Sequence, residues 1–172
     1  MGNLDIGHTD FKVYEGSTEF LGMSEVSLPD LEYMTETVTG AGVAGEFEES
    51  YRGYAKAMSV GLNFRSVTAA AIVLAEPRTH TLELRAAVQE YNTVSGEIEI
   101  KNIKHVMKVV PKKTSAGKLA AASPADASGE YGVRYWKMVK DGEVLLEIDS
   151  INFIFIVNKN DYLYDVQKAL NG

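Results

Sequence analysis

A chain of 172 residues with 45% hydrophobic and 24% charged residues is long enough to bury a core as one globular domain, and it is not of disordered composition. A formal net charge of −7 argues against a protein whose main task is gripping phosphate, and the lack of cysteine excludes disulfides, zinc–thiolate sites and thiol catalysis. No stretch approaches the roughly 18 apolar residues of a membrane span, and the opening MGNLDIGHTDF has no basic segment followed by an apolar one, so synthesis in the cytoplasm without membrane insertion is expected.

In chain order, FKVYEGSTEFLGMSEV from Phe11 reads as a strand, a turn at Glu15-Gly16-Ser17-Thr18 and a returning strand. Pro29 forces Leu28 to be extended, and DLEYMTETVT predicts another strand leading into GAGVAG. RGYAKAMSVGLNF supplies one more. RSVTAAAIVLAEP predicts a buried helix of about three turns at most, with Ser66 as its cap and Pro77 as its stop.

HTLELRAAVQEY, residues 80 to 91, alternates Leu82, Leu84, Ala86 and Val88 against Thr81, Glu83, Arg85 and Gln89, the pattern of a half-buried strand. In IEIKNIKHVMKVVPK the apolar phase holds through Ile98 and Ile100 and slips near Asn102, which predicts a bulge there. YGVRYWKMVK and GEVLLEIDSINFIF are two strands joined at Asp141-Gly142, a two-residue hairpin signal. DYLYDVQKALNG predicts a short C-terminal helix capped by Asp161, with Tyr162, Val166, Ala169 and Leu170 on one face. The expected fold is therefore mainly β, sandwich or barrel-like, with one buried flanking α-helix and a short C-terminal helix. Residues 1–172 form a single domain carrying a glycine-rich loop at about 39–50 and a long Ala/Ser/Lys-rich loop at about 112–129.

Charge is unevenly spread. Between Glu15 and Glu49 there are nine carboxylates and no Lys or Arg, whereas Lys101, Lys104, Lys108, Lys112, Lys113 and Lys118 occur with no carboxylate among them. The lysine run lacks interleaved aromatics for base stacking. An acidic patch on one copy meeting a basic patch on the next instead predicts a head-to-tail contact, of the kind that closes rings or propagates filaments.

Chemical motifs are weak. Gly40, Gly42 and Gly45 match G-x-G-x-x-G, but EFEESYRG follows, and Glu46, Glu48 and Glu49 would repel a phosphate where a helix N-terminus should hold it. Glu147 and Asp149 share one strand face about 6–7 Å apart, a spacing that suits acid/base work but equally a solvated strand face. His8, His80 and His105 are far apart and unaccompanied by HExxH, so they read as surface or strand histidines. Neither G-x-S-x-G nor a Walker sequence occurs. No cofactor, metal or catalytic residue is assigned.

DGEVLLEIDSINFIFIVN, residues 141 to 158, resembles the closing hairpin of the major tail tube proteins of contractile-tailed bacteriophages and R-type bacteriocins, with its D-G-x-x-L-x-E-I-D-x-I-N pattern. SLPDLEYMTETVTGAGVAG, residues 27 to 45, is similar to the family's L-P-x-L segment and glycine-rich loop, and the first hairpin is similar in arrangement. The resemblance implies a non-enzymatic subunit that assembles as hexameric rings stacked into a hollow tube. Its partners would be further copies of itself, a contractile sheath, baseplate or tail-tip proteins and terminator proteins, with transient, non-specific passage of DNA in a phage. In that setting Gly40, Gly42, Gly45, Glu46, Glu48 and Glu49 would form an inter-ring loop. Lys101, Lys104, Lys108, Lys112 and Lys113 would form an inter-subunit basic patch, and Glu147 and Asp149 would line the lumen or an interface. The alternative, from the same alternating strands, is a soluble β-barrel closing around a small ligand; a nucleotide-dependent enzyme built on GAGVAG is the third.

Overall fold

The computed structural model describes residues 2–172, which form twelve strands and two short helices. Four long antiparallel strands make the centre: β1 (Asn3–Glu15), β7 (His80–Asn92), β8 (Ile98–Ser115) and β9 (Ala127–Lys140). β10 (Glu143–Asp149), β11 (Ile154–Val157) and β12 (Asn160–Asp161) extend the sheet beyond β9, and β2 (Thr18–Phe20) extends it beyond β1. The turn between β9 and β10 is the predicted one, with Asp141 and Gly142 both at positive φ (48° and 79°).

The sheet forks at β9. Its first half, Ala127 to Val133, pairs with β6 (Met58–Phe64), which in turn holds β3 (Met23–Ser27). Its second half, from Tyr135, pairs with β10 on that same side. Arg134 is skipped in the pairing with β8 at this junction, so a bulge bends the strand where its neighbour changes. The two branches then face one core from different directions: Met58, Val60, Leu62 and Phe64 of β6 meet Leu82, Leu84, Met107, Val109, Tyr131 and Ile148. The sheet does not close on itself, so this is not a barrel.

α1 (Ala69–Leu74) is shorter than expected, and its cap is Thr68, whose Oγ1 accepts from the Ala71 N–H at 3.3 Å, in place of Ser66. It buries Ala71 and Leu74 on one side and leaves Ile72 exposed. α2 (Tyr164–Asn171) begins after Leu163; Asp161 instead closes a turn by accepting from the Leu163 N–H at 3.0 Å. RGYAKAMSVGLNF spans the end of β5 (Phe47–Ala55) and the whole of β6, interrupted at Lys56 and Ala57. The second strand of the opening FKVYEGSTEFLGMSEV also divides, into β2 and β3, and β3 leaves β1 to pair with β6.

The bulge expected at Asn102 is absent. β7 and β8 pair without a shift from His80↔Val109 to Tyr91↔Ile98, and the shifts in β8 fall against β9, between Lys108 and Val109 and between Pro111 and Lys113. The apolar phase changes because the environment of the two faces changes, as described below. The long loop is also shorter than 112–129, since β8 continues to Ser115 and β9 starts at Ala127.

His80, Tyr131 and His105 each bury polar atoms within the core. His80 is fully buried, with Nδ1 against the Glu15 carboxylate and Nε2 2.9 Å from the Glu76 carbonyl, which ties the end of α1 to β1. Tyr131 is fully buried, its Oη finds no hydrogen-bond partner among the described residues, and burial pushes its phenol up to about 12. Tyr131→Phe is therefore expected to stabilise the fold by about 1 kcal/mol, because an unpaired polar atom leaves the core at nearly constant shape. Urea unfolding measures this directly; a loss of stability would mean that the hydroxyl is paired after all.

His105 is 3% exposed and accepts from Trp136 Nε1–H through Nδ1 at 3.1 Å, a contact that requires the neutral ring. Burial, with a smaller contribution from nearby His8, holds its pKa at about 4, down from 6.5. A base whose folded pKa is lowered binds its proton first in the unfolded chain, so its stabilising contribution is complete above about 6.5 and is lost as pH falls towards 4. That loss amounts to at most about 3 kcal/mol. His105→Gln, which keeps an acceptor for the indole, is expected to flatten the pH dependence of unfolding over this window relative to the parent protein.

Candidate assembly interface

Three surfaces of the monomer are incomplete. The first is a strand edge. β1 pairs with β7 along most of its length, but β2 covers only Val13, Tyr14 and Glu15 on the other side. From Asn3 to Lys12 no strand lies on the far edge among the described residues, leaving a row of backbone donors and acceptors open to another chain. Two shifts in β1, between Asp5 and Gly7 and between His8 and Asp10, bend this edge.

The second is an arm. β4 (Tyr33–Val38) and β5 pair only with each other, as a separate two-stranded sheet. Its root is fixed: Tyr33 packs at a tilt against Phe155 with 5.8 Å between ring centres, the Lys56 N–H donates to the Glu32 carbonyl at 2.7 Å, and Arg52 reaches Asp165 of α2 at 3.0 Å. From Tyr33 to Val38 the arm extends about five residues, roughly 17 Å. An isolated hairpin is marginal in water, so a projecting one calls for a second contact.

Gly40, Gly42 and Gly45 turn the arm's tip, all at positive φ, and the Val43 N–H donates to the Gly40 carbonyl at 3.1 Å. A strand follows these glycines instead of a helix, so the dinucleotide reading loses its structural requirement. The loop is accordingly confined to residues 39–46; Glu48 and Glu49 lie on β5. Glu49 stands directly opposite Glu36, a repulsive pairing, and none of Glu36, Glu46, Glu48 and Glu49 forms an ion pair among the described residues.

The third is the sheet face turned away from the core. Lys104 and Lys108 lie on it, with Lys104 3.5 Å from Glu83 and Lys108 over the Tyr135 ring at 5.7 Å. Lys101 projects to the opposite face, near Glu99 and Asp141, while Lys112 contacts Glu130 at 3.3 Å and Ser59 at 3.0 Å. The five lysines singled out in the sequence thus do not converge; Lys113 faces a shallow cleft with Ser27, Asp30 and Asn63. Residues that spacing alone did not reveal complete the outer face: Lys12, Arg85 and Lys137 join Lys104 and Lys108 there through cross-strand pairing.

Glu147 and Asp149 share this face but do different things. Glu147 accepts from the Tyr135 hydroxyl at 2.6 Å and stands opposite Lys137, and the Tyr135 phenol is held far above its usual range by burial and this carboxylate. Asp149 holds the turn into β11: Oδ1 accepts from the N–H groups of Ile151 and Asn152 at 3.1 and 3.2 Å, and Oδ2 from Asn152 Nδ2 at 2.6 Å. The D-x-x-N spacing carried that signal. Asp149→Ala should cost about 1–2 kcal/mol and speed amide exchange at Ile151 and Asn152, whereas Asp149→Asn, which keeps Oδ1 as an acceptor, should cost less. Equal losses from both would point to the charge instead.

No group of three or more potential metal ligands gathers among the described residues. The clefts between strands are open grooves, such as that bordered by His8, Phe11, Val26, Leu84 and His105, and none is the interior of a closed barrel.

Comparison with known proteins bears on the whole of this architecture. The family model described as phage tail tube protein FII matches residues 9–170. A solved structure described as the sheath/tube terminator in the extended state of PVC, an extracellular contractile injection system, superposes with a TM-score of 0.54 at 15% identity, covering 78% of this chain and 96% of the other. A chain from the PVC sheath–tube complex in the extended state gives 0.49 at 16% identity, covering 75% and 87%. Among curated proteins, none matches the sequence.

Proposed function

This chain belongs to the phage tail tube protein FII family, as a structural and not an enzymatic component of a tail particle, and from that premise we propose that its open surfaces are the contacts of a hollow tube. Residues 1–172 act as one tail-tube domain, six copies close a ring, and rings stack. A contractile sheath surrounds the tube, baseplate or tail-tip and terminator proteins bound it, and in a phage DNA passes through without stable binding. The kinship in fold with a sheath/tube terminator supports this setting.

The observation that carries the proposal is the β1 edge. Ten residues, Asn3 to Lys12, pair with β7 on one side but among the described residues have no strand on their outer edge, and a neighbouring copy supplies one at each junction of a closed ring. The arm, with Glu46, Glu48 and Glu49 at and behind its tip, spans from one ring to the next. Glu147 and Asp149, with Lys108 and Lys137 beside them, belong to a contact with a neighbouring copy.

Negative-stain microscopy of concentrated protein with a tail-initiating complex, paired with amide exchange on dilute protein, tests this. Tubes should grow only from the seed, and those amides of β1 between Asn3 and Lys12 that point away from β7 should exchange rapidly in the dilute state and slowly in tubes. A dilute monomer already protected along this edge, with no growth from any seed, would overturn it.

A further inference from the structure

The arm needs a place to land, and the far end of the central sheet has the right character. Beyond Val88 the two faces of β7 and β8 exchange polarity without a register shift. The face that continues the core becomes polar and satisfied: Asn3 Nδ2 donates to Glu90 at 3.1 Å and Glu99 at 2.6 Å, Lys140 reaches Glu90 at 2.7 Å, and Asn92 donates to Glu99 at 3.1 Å. The opposite face becomes apolar and exposed. Leu4, Tyr91 and Ile98 align across three strands, with Ile100 in the next row, and Ile98 and Ile100 are 63% and 59% exposed.

We propose that this strip of Leu4, Tyr91, Ile98 and Ile100 receives the β4–β5 arm of a neighbouring copy of the chain. The proposal rests on the reading of the arm as an inter-ring contact and adds its receiving surface. The two surfaces match in apolar content and in charge. Below the strip on the same face stand Lys12, Arg85 and Lys104, the last two sharing the single carboxylate of Glu83. One face of the arm carries exposed Met34, Phe47 and Tyr51 beside Glu36 and Glu49, neither of which pairs with a cation among the described residues. Docking brings apolar residues together and sets cations against the opposed Glu36–Glu49 pair, which is repulsive in the free arm. It also joins the arm contact to the β1 edge, since Leu4 lies on that strand.

The chain has no cysteine, so engineered pairs report without background. Phe47→Cys combined with Ile98→Cys, assembled on a seed and mildly oxidised, is expected to give a ladder of disulfide-linked oligomers, while each single variant stays monomeric on a denaturing gel. A second variant, Ile98→Lys with Ile100→Lys, alters side chains already exposed in the monomer; it should fold normally and raise the concentration needed for tube growth by about tenfold or more. Tubes that form without a 47–98 cross-link overturn this inference alone. Dimers from Ile98→Cys by itself would mean that the strip packs on its own counterpart and would also overturn it. Absence of tubes from the unaltered protein overturns both this inference and the tube reading beneath it.

Discussion

Reversal of the arm's charge, Glu46→Lys with Glu48→Lys and Glu49→Lys, is expected to abolish tube elongation while leaving thermal unfolding nearly unchanged. All three side chains are exposed and none forms an ion pair among the described residues, so the fold loses no such contact when they change. Relief of the Glu36–Glu49 opposition should make the isolated arm slightly better behaved. Assembly is different: each added ring repeats the same contact, so a small unfavourable change per subunit multiplies around the ring. Seeded growth followed by electron microscopy, with melting curves on the same preparations, separates the two effects. Tubes of ordinary length would remove the arm from the assembly contact; a large drop in melting temperature would make the arm part of the fold.

Gly129→Ala is expected to be strongly destabilising. The Tyr131 ring lies over Gly129, two residues back on β9, so that an added Cβ would fall 2.1 Å from Oη and 2.6 Å from Cζ. Tyr131 is fully buried among β6, β8 and β9 and has nowhere to retreat without moving the core. Overpacking of this kind costs about 3 kcal/mol, which for a domain of this size lowers the melting temperature by roughly 6–12 °C. Pairing Gly129→Ala with Tyr131→Leu should recover part of the loss, because the second change removes the group that the first one strikes. If the two losses simply add, the ring is not the obstacle.

The strands and turns were legible because their causes are local. β7 showed itself by alternation at Leu82, Leu84 and Val88, the β9–β10 turn by Asp141-Gly142, and the tail-tube resemblance by the DGEVLLEIDSINFIF segment. The capping residue of α1 was missed because Ser66 and Thr68 are equivalent as letters; only the direction of the chain entering the helix selects Thr68. The lysines from Lys101 to Lys113 suggested one patch by proximity in sequence, yet strand alternation sends Lys101 and Lys104 to opposite faces, and the bulge at Lys112 redirects those after it.

The sequence by itself determined that this protein is mainly β, lacks the thiols for disulfides or thiol catalysis, and carries acidic and basic blocks too separated to neutralise one another locally. Those properties follow from residue type and from a side-chain period of two. Tertiary structure alone decided where the sheet forks, that the glycine segment is the tip of a projecting arm, and that the change of phase after Ile100 is an exchange of environment and not a bulge. Pairing between strands distant in sequence sets which face is covered, and a strand's own letters cannot distinguish a displaced residue from a face that waits for another molecule.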